Sequence, residues 1–453
     1  MAARPLQRII TTGTWLALAG CSFMPAYERP AAPVAAAFEP SGAEAGTPAA
    51  ALAWRDFIQD ERTRALVEIA LRENRDLRVA ALNVEQARAA LGLQTADRLP
   101  TLGVGVGGTR TSVSSSYTAG FVLSSFEIDL FGRIQSLSQA AAARLLASDE
   151  ARRSVQLSLI AAVASAELAL RADDDLLAVT EQVLAGREET LRLVKVRFDG
   201  GLSGEPEYRA AESLVAVALV NRVALQRQRA QDLNALVLLL GQPLPAPLPP
   251  ARPLAEHRLA SLPAGLPAEV LLQRPDVRAA EQQLIAANAN IGAARAAFFP
   301  RISLTGSLGT ASAHLGDLFQ NTAWSFAPQL LQPIFDAGRN QANLAAALAG
   351  REIALNQYEK AIQTAFREVA DALAGRATLG AQRAAQEEQA TAEARRLALA
   401  DLLLKNGAAS ALDRLDAERA LLAARQAVVQ LQLAERQNAL LLYRVLGGGM
   451  LAP

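Results

Sequence analysis

Two stretches of this chain, 200 residues apart, repeat one another. Asn74-Arg75-Asp76-Leu77-Arg78 is matched by Arg274-Pro275-Asp276-Val277-Arg278. Leu77, Ala80, Val84, Ala87 and Leu91 step by threes and fours, and Val277, Ala280, Leu284, Ala287 and Ile291 take the same steps. Gly92 matches Gly292, and Pro100 matches Pro300. Further along, Gly132-Arg133 matches Gly338-Arg339 at a shift of 206, which Gly201 and Gly407, and Gly241 and Gly447, also keep. An internal duplication of this length restricts the chain to architectures built from one unit used twice.

Each copy has the order helix–strand–strand–helix–helix. The first helix is expected over about 61–98 and again over 267–298, on apolar steps that form a heptad seam, and a proline ends it. A much longer helix is expected over 133–197 and 339–404. In the second of these, Leu355, Tyr358, Ile362, Phe366, Val369 and Leu373 keep heptad spacing. Such a helix is roughly 95 Å long, too long for a compact globular core. A glycine turn reverses the chain, and a last helix runs back over 205–240 and 410–446. The expected divisions are a leader at 1–20, an N-terminal segment at 21–60, repeat 1 at 61–241, a proline-rich linker at 242–266, repeat 2 at 267–447 and a tail at 448–453.

Between the helices lie strand-like runs, with hairpins expected over 101–130 and 301–332. Leu102, Val104 and Val106 alternate with Thr101, Gly103 and Gly105. Ile302 and Leu304, and then Trp324 and Phe326, alternate in the same way. This is the period of a strand with one apolar face. Phe121 and Leu123 share a parity that Phe126, Ile128 and Leu130 do not, so a bulge or strand end is expected between them. Each run has about the length of a tilted membrane strand. After residue 21 no apolar run reaches the length of a spanning helix, so a mature chain that crosses a bilayer does so with strands. Lipid requires every backbone polar group to be paired, so the sheet must close. Four strands cannot close on themselves, and several chains must share one barrel.

The N-terminus reads as a targeting segment. Arg4 and Arg8 precede a short apolar stretch that ends in Leu18-Ala19-Gly20-Cys21, the pattern of a bacterial lipobox in which the Cys21 thiol is acylated. Cys21 is the only cysteine, so no disulfide can form within the chain. Acidic and basic residues number 45 each, and no net field favours nucleic acid. No catalytic constellation, phosphate loop, metal site or cofactor is indicated. Asp173-Asp174-Asp175, the densest acidic cluster, reads as a solvated helix face.

The chain resembles the outer-membrane factor family, TolC-like, in its NodT-type lipoprotein branch. The resemblance covers nearly all of the mature chain. It is carried by Leu262-Pro-Ala-Gly-Leu-Pro, by Arg274 to Glu281, and by Ala287-Asn-Ala-Asn-Ile-Gly292 through Phe299-Pro300 to Gly306. Cys21 with Pro25, Tyr27 and Pro30, Trp54 and Phe57, Pro333-Ile-Phe335 with Gly338-Arg339, and Leu446-Gly447 add to it. The fold implied is mostly α with a membrane β-barrel: a homotrimer forming a 12-strand β-barrel on a 12-helix periplasmic tunnel. The function implied is transport without chemistry of its own. The chain would be the exit duct for an inner-membrane efflux pump of the resistance-nodulation-division type, bridged by a periplasmic membrane-fusion adaptor and embedded in outer-membrane lipid.

The same resemblance assigns roles at the two helical turns. Leu412 and Asp416 correspond to an apolar and an acidic constriction ring, and Arg419 to the basic residue that pairs there. Spacing alone reads Asp416 and Arg419 as a surface pair one turn apart on one helix. Gly201-Leu202-Ser203 and Gly407-Ala408-Ala409-Ser410 correspond to the adaptor-contacting tips; from the residues alone they are glycine turns ending helices. Gly204-Glu205-Pro206-Glu207 and the missing leucine at 407–409 depart from the family pattern and imply an adaptor contact suited to one partner. Two further readings stay open: the exit duct of a type I protein secretion system, and a lipid-anchored coiled-coil scaffold without a pore.

Overall fold

The computed structural model describes residues 22–38, 49–262, 268–406, 408 and 410–449. Cys21, Gly407 and Ala409 lie outside the described residues, and so does the side chain of Leu412. Contacts divide the chain into two compact units. One comprises Met1–Pro33, Ala80–Arg152 and Pro275–Ile362; the other comprises Val34–Val79, Arg153–Arg274 and Gln363–Pro453.

The main elements are α1 (Glu61–Glu73), α2 (Arg75–Ala96), β1 (Leu102–Arg110), β2 (Ser115–Ile128), α3 (Arg133–Asp199) and α4 (Glu205–Leu240). The second copy supplies α5 (Pro275–Ala296), β3 (Arg301–Ser312), β4 (Thr322–Leu331), α6 (Arg339–Lys405) and α7 (Ala411–Val445). α3 and α6 have 67 residues each, about 100 Å of helix. Half of the seam read on α6 is buried: Tyr358, Ile362 and Val369 are fully enclosed, as are Ala365 and Ala372, while Leu355, Phe366 and Leu373 are half-buried beside them.

Three sequence expectations need correction. The helix expected over 61–98 is two helices, broken at Asn74. That residue is extended and buried. Its amide donates to the Leu239 carbonyl at 2.9 Å and its side-chain oxygen accepts from the Leu77 N–H at 2.9 Å, capping α2. The second copy has the same joint in other chemistry: Arg274 donates to the Val445 carbonyl at 3.0 Å and pairs with Glu368 at 2.7 Å. There the helix expected from 267 is a 3-10 helix, Ala268–Gln273, and α5 opens on Pro275, a residue suited to a first helical turn. The third correction concerns hydropathy. α3 does contain an 18-residue window apolar enough to cross a membrane, but 61% of that window is buried within the chain. Leu157, Ile160, Val163, Ala164 and Leu168 are enclosed by the protein itself, so this is a core segment.

The four strands form one antiparallel sheet in the order β1-β2-β3-β4. The parity break read in β2 is a register shift between Leu123 and Phe126, with Ser125 at a φ of 40°. β2 and β3 approach so closely that a Cβ on Gly120 or Gly309 would collide with the opposite backbone. Glycine at these two positions is therefore a packing requirement.

Candidate functional site

The sheet sorts its side chains onto two chemically distinct faces. Val104 pairs with Phe121, Phe121 with Leu308, and Leu308 with Trp324, giving an apolar row across all four strands. Leu102, Leu123 and Phe326 belong to a neighbouring row on that face, and beyond the bulge Phe126 and Ile128 return to it, opposite Leu304 and Ile302. The other face carries Gly103, Val122, Ser307 and Ser325 in one row and Gly105, Gly120, Gly309 and Ala323 in the next. Val104, Val106, Phe121 and Trp324 are 75%, 78%, 62% and 76% exposed. A row of large apolar side chains left this open is suited to lipid, and the small polar face to a water-filled lumen. Among the described residues neither β1 nor β4 has a partner on its outer edge. A sheet of this kind cannot enter a bilayer with its edges open.

The first helical turn joins α3 to α4. Gly201 has a φ of 72°, the left-handed region that glycine enters without strain. The Gly201 N–H donates to Phe198 at 2.9 Å and the Leu202 N–H to Arg197 at 2.7 Å, closing the helix end. Leu202 stands 76% exposed. The Ser203 hydroxyl donates to the Glu207 carboxylate at 2.6 Å. At the second turn the Ala408 N–H donates to Leu403 at 2.9 Å. Ser410 then caps α7: its hydroxyl accepts from the Asp413 N–H at 3.2 Å, and the Asp413 carboxylate accepts from the Ser410 N–H at 3.0 Å.

Asp416 and Arg419 pair at 2.6 Å on α7, with both side chains well exposed. Within the chain this is the one-turn surface pair, worth about 0.3 kcal/mol. A buried network close by was not legible from spacing. Arg187 of α3, almost enclosed, pairs with Glu418 at 3.0 Å and donates to the Leu214 carbonyl at 3.0 Å. Glu418 also pairs with Arg414 at 3.3 Å, and Arg414 reaches Asp401 at 2.6 Å. One run of charges therefore ties α3, α4, α6 and α7 together one turn from Asp416. The only sequence hint was the density of charge after Leu412, and the partner Arg187 lies 231 residues away.

The aspartate cluster at 173–175 is not the solvated face expected of it. Asp173 is buried, and one of its carboxylate oxygens has no hydrogen-bond partner. Asp174 pairs with Arg171 at 2.7 Å and with Arg229 of α4. Asp175 accepts from the Leu254 N–H at 3.1 Å. Burial, followed by the Asp232 carboxylate of α4, pushes the Asp173 carboxyl up to about 7. The folded chain thus holds a proton that an unfolded Asp releases near pH 4, and stability falls as pH rises from about 4 through 7. Asp173→Asn should therefore raise the thermal midpoint at pH 8 and leave it near the parent value at pH 5. Equal shifts at both pH values in a detergent melt would contradict this.

A second enclosed carboxylate anchors the N-terminal segment. Glu281 of α5 accepts from Tyr27 at 3.0 Å and from Arg29 at 2.7 and 3.0 Å, holding the Arg29 guanidinium above its ordinary range.

The model of the family described as "Outer membrane efflux protein" matches the chain twice, over residues 66–242 and 266–448. The chain is 44% identical over 454 residues to the solvent efflux pump outer membrane protein SrpC of Pseudomonas putida, covering 96% of each chain. It is 44% identical over 453 residues to the outer membrane protein OprJ of Pseudomonas aeruginosa, covering 96% of this chain and 94% of OprJ. Among solved structures, the open state of the Neisseria gonorrhoeae MtrE outer membrane channel superposes with a TM-score of 0.88 at 41% identity, covering 95% of this chain and 99% of that one.

Proposed function

The chain belongs to the outer membrane efflux protein family, and on that premise we propose that it is the outer-membrane exit duct of a tripartite efflux system, carrying drugs or toxic compounds such as solvents outward. SrpC is a solvent efflux pump protein and MtrE an outer membrane channel, and the site here is of that kind. Its place is the outer membrane. The observation that carries the reading is the sheet, with an exposed apolar row on one face and glycine and serine on the other. A coiled-coil scaffold has no use for such a sheet.

The duct is a homotrimer. Four strands with two unpaired edges support this, because three copies supply twelve strands, enough to close a barrel. An inner-membrane pump provides the energy, and a periplasmic membrane-fusion adaptor docks at the turns around Gly201–Ser203 and 407–410. Leu412, Asp416 and Arg419 narrow the passage. The chain performs no reaction of its own, and no cofactor enters the mechanism.

The test is assembly. The purified protein should be a detergent-dependent trimer by light scattering corrected for bound detergent; a monomer or dimer would sink the shared barrel. Acylation of Cys21 adds an anchor to strand burial. Metabolic palmitate labelling should disappear in Cys21→Ala, and labelling that persists would rule the anchor out.

A further inference from the structure

The linker that follows α4 is pinned across α6 and α7. Arg436 of α7 donates to the Ala255 carbonyl at 3.0 Å and to the His257 carbonyl at 3.2 Å. Arg376 of α6 donates to the Leu262 carbonyl at 2.6 Å. Between these clasps the linker is extended. The Ala260 N–H donates to the Phe57 carbonyl at 2.9 Å and the Gln59 N–H to the Arg258 carbonyl at 3.3 Å, which sets Leu259 antiparallel and opposite Ile58. Two cavities of about 620 and 430 Å³ open along it and share Gln59, Ala255 and Arg258, so they form one groove.

The groove is lined by groups with bonds to spare. Backbone groups alternate sides along an extended strand. Arg258 and Ala260 turn theirs toward 57–59, so the Leu259 N–H and C=O turn the other way, and neither has a partner among the described residues. At one end the side chains of Arg252, Glu256 and Arg258 are exposed and have no ion pair or hydrogen bond among the described residues. Asp60, which also lines that end, is buried and already accepts from the Thr63 N–H and hydroxyl. At the other end Glu387 and Glu435 share one cation, Arg383, at 2.7 and 2.8 Å. Two free guanidiniums against one carboxylate therefore lie at one end, an open peptide edge in the middle, and two carboxylates on one guanidinium at the other.

We propose that this groove binds the peptide stems of the bacterial cell wall. A stem lies extended along Leu259, with a carboxylate on Arg252 and Arg258 and the ammonium of its diamino acid on Glu387 and Glu435. The Leu259 N–H and C=O supply the main-chain bonds by which a sheet edge takes an extra strand. The guanidinium fork suits a carboxylate. A peptide with a carboxylate and an ammonium group spaced along it matches the order of charges, and a lipid chain or neutral solute uses neither end. The site rests on the outer-membrane placement proposed above, which puts the helices in the periplasm with the wall. Arg383 lies roughly 65 Å of helix beyond Arg339, where α6 begins, which is more than the thickness of a hydrocarbon layer. A ring of copies presents several such grooves to one mesh, so a weak contact at each holds the duct to the wall.

Sedimentation of the full-length protein in detergent with purified cell-wall sacculi tests it. The parent should sediment with the sacculi, and the soluble stem tripeptide L-alanyl-γ-D-glutamyl-meso-diaminopimelate should compete it off. Arg252→Ala with Arg258→Ala should weaken binding about tenfold or more, and the corresponding pair of lysine substitutions should bind better than the alanine pair. Arg192→Ala, which breaks an exposed pair with Glu189 on α3, should bind like the parent. Amidating the glutamyl carboxylate of the tripeptide should weaken its competition severalfold. A parent that stays in solution, or an alanine pair that sediments like the parent, overturns the site. An ordinary acidic peptide, L-alanyl-L-glutamyl-L-lysine, that competes as well as the stem overturns the assignment to the wall. Membrane fractionation of the same cells separates this idea from the one it rests on. Protein in the outer membrane that ignores sacculi overturns only the wall site, and protein absent from the outer membrane overturns both.

Discussion

A chain carrying Phe121→Arg should fail to accumulate in the outer membrane, while one carrying Ser307→Arg should assemble. Phe121 is the seventh residue of the 14-residue β2 and sits in the apolar row with Val104, Leu308 and Trp324. An arginine facing lipid near mid-bilayer costs about 2–4 kcal/mol per chain. In a ring of three copies each chain carries the same charge, and the penalty of about 6–12 kcal/mol per assembly is comparable to the whole stability of an ordinary domain. Ser307 lies on the opposite face, with its hydroxyl 2.7 Å from that of Ser325. An arginine there meets water if the face is a lumen, and it should shift the ion selectivity of the channel toward anions. The measurement is the amount of trimer in the outer-membrane fraction, followed by reversal potentials in planar bilayers. Equal accumulation of the two variants would mean that neither face is turned to lipid.

The second large effect is expected at the α7 pair proposed to narrow the passage. Replacing Asp416 and Arg419 together by alanine should raise single-channel conductance severalfold and let large antibiotics leak into cells. A pair exposed on one helix contributes about 0.3 kcal/mol, so its loss alone should change neither stability nor conductance. Conductance changes only if, in the assembled duct, three Asp416 carboxylates converge and each needs a cation from a neighbouring helix. The buried network supplies the contrast. Arg187→Met leaves Glu418 enclosed with Arg414 as its remaining partner. Breaking a buried pair costs about 3–5 kcal/mol, and because Arg414 stays, the lower end applies. That variant should therefore melt earlier. The gate variant should conduct more at an unchanged thermal midpoint. Parent conductance in the double variant would assign Asp416 and Arg419 to the helix surface and place the constriction elsewhere.

Periodicity made much of this chain readable from its residues. The heptad steps marked the side of α6 on which Tyr358, Ile362 and Val369 are buried, with Leu355, Phe366 and Leu373 half-buried at its margin, and the alternation from Leu102 to Val106 marked the apolar face of β1. The changed parity between Leu123 and Phe126 marked the bulge. These are local signals: a helix or strand repeats its geometry every few residues, so the side chains themselves record which face is covered. The strand count also pointed beyond the single chain, because lipid tolerates no open edge.

Partners distant in sequence decided the rest. Asn74 breaks a helix whose apolar steps continue through it, because its amide is held by the Leu239 carbonyl 165 residues away. Asp173 looked like part of a solvated face until α4 brought Asp232 and Arg229 against it. Glu281 sits on a helix face that could have met water, yet Tyr27 and Arg29 cover it from the N-terminal segment. A polar residue on an amphipathic helix suits water or a buried partner equally well, and its own neighbours in sequence do not distinguish the two. Only packing removes the water, and once water is gone the group must pair, shift its proton or end its helix.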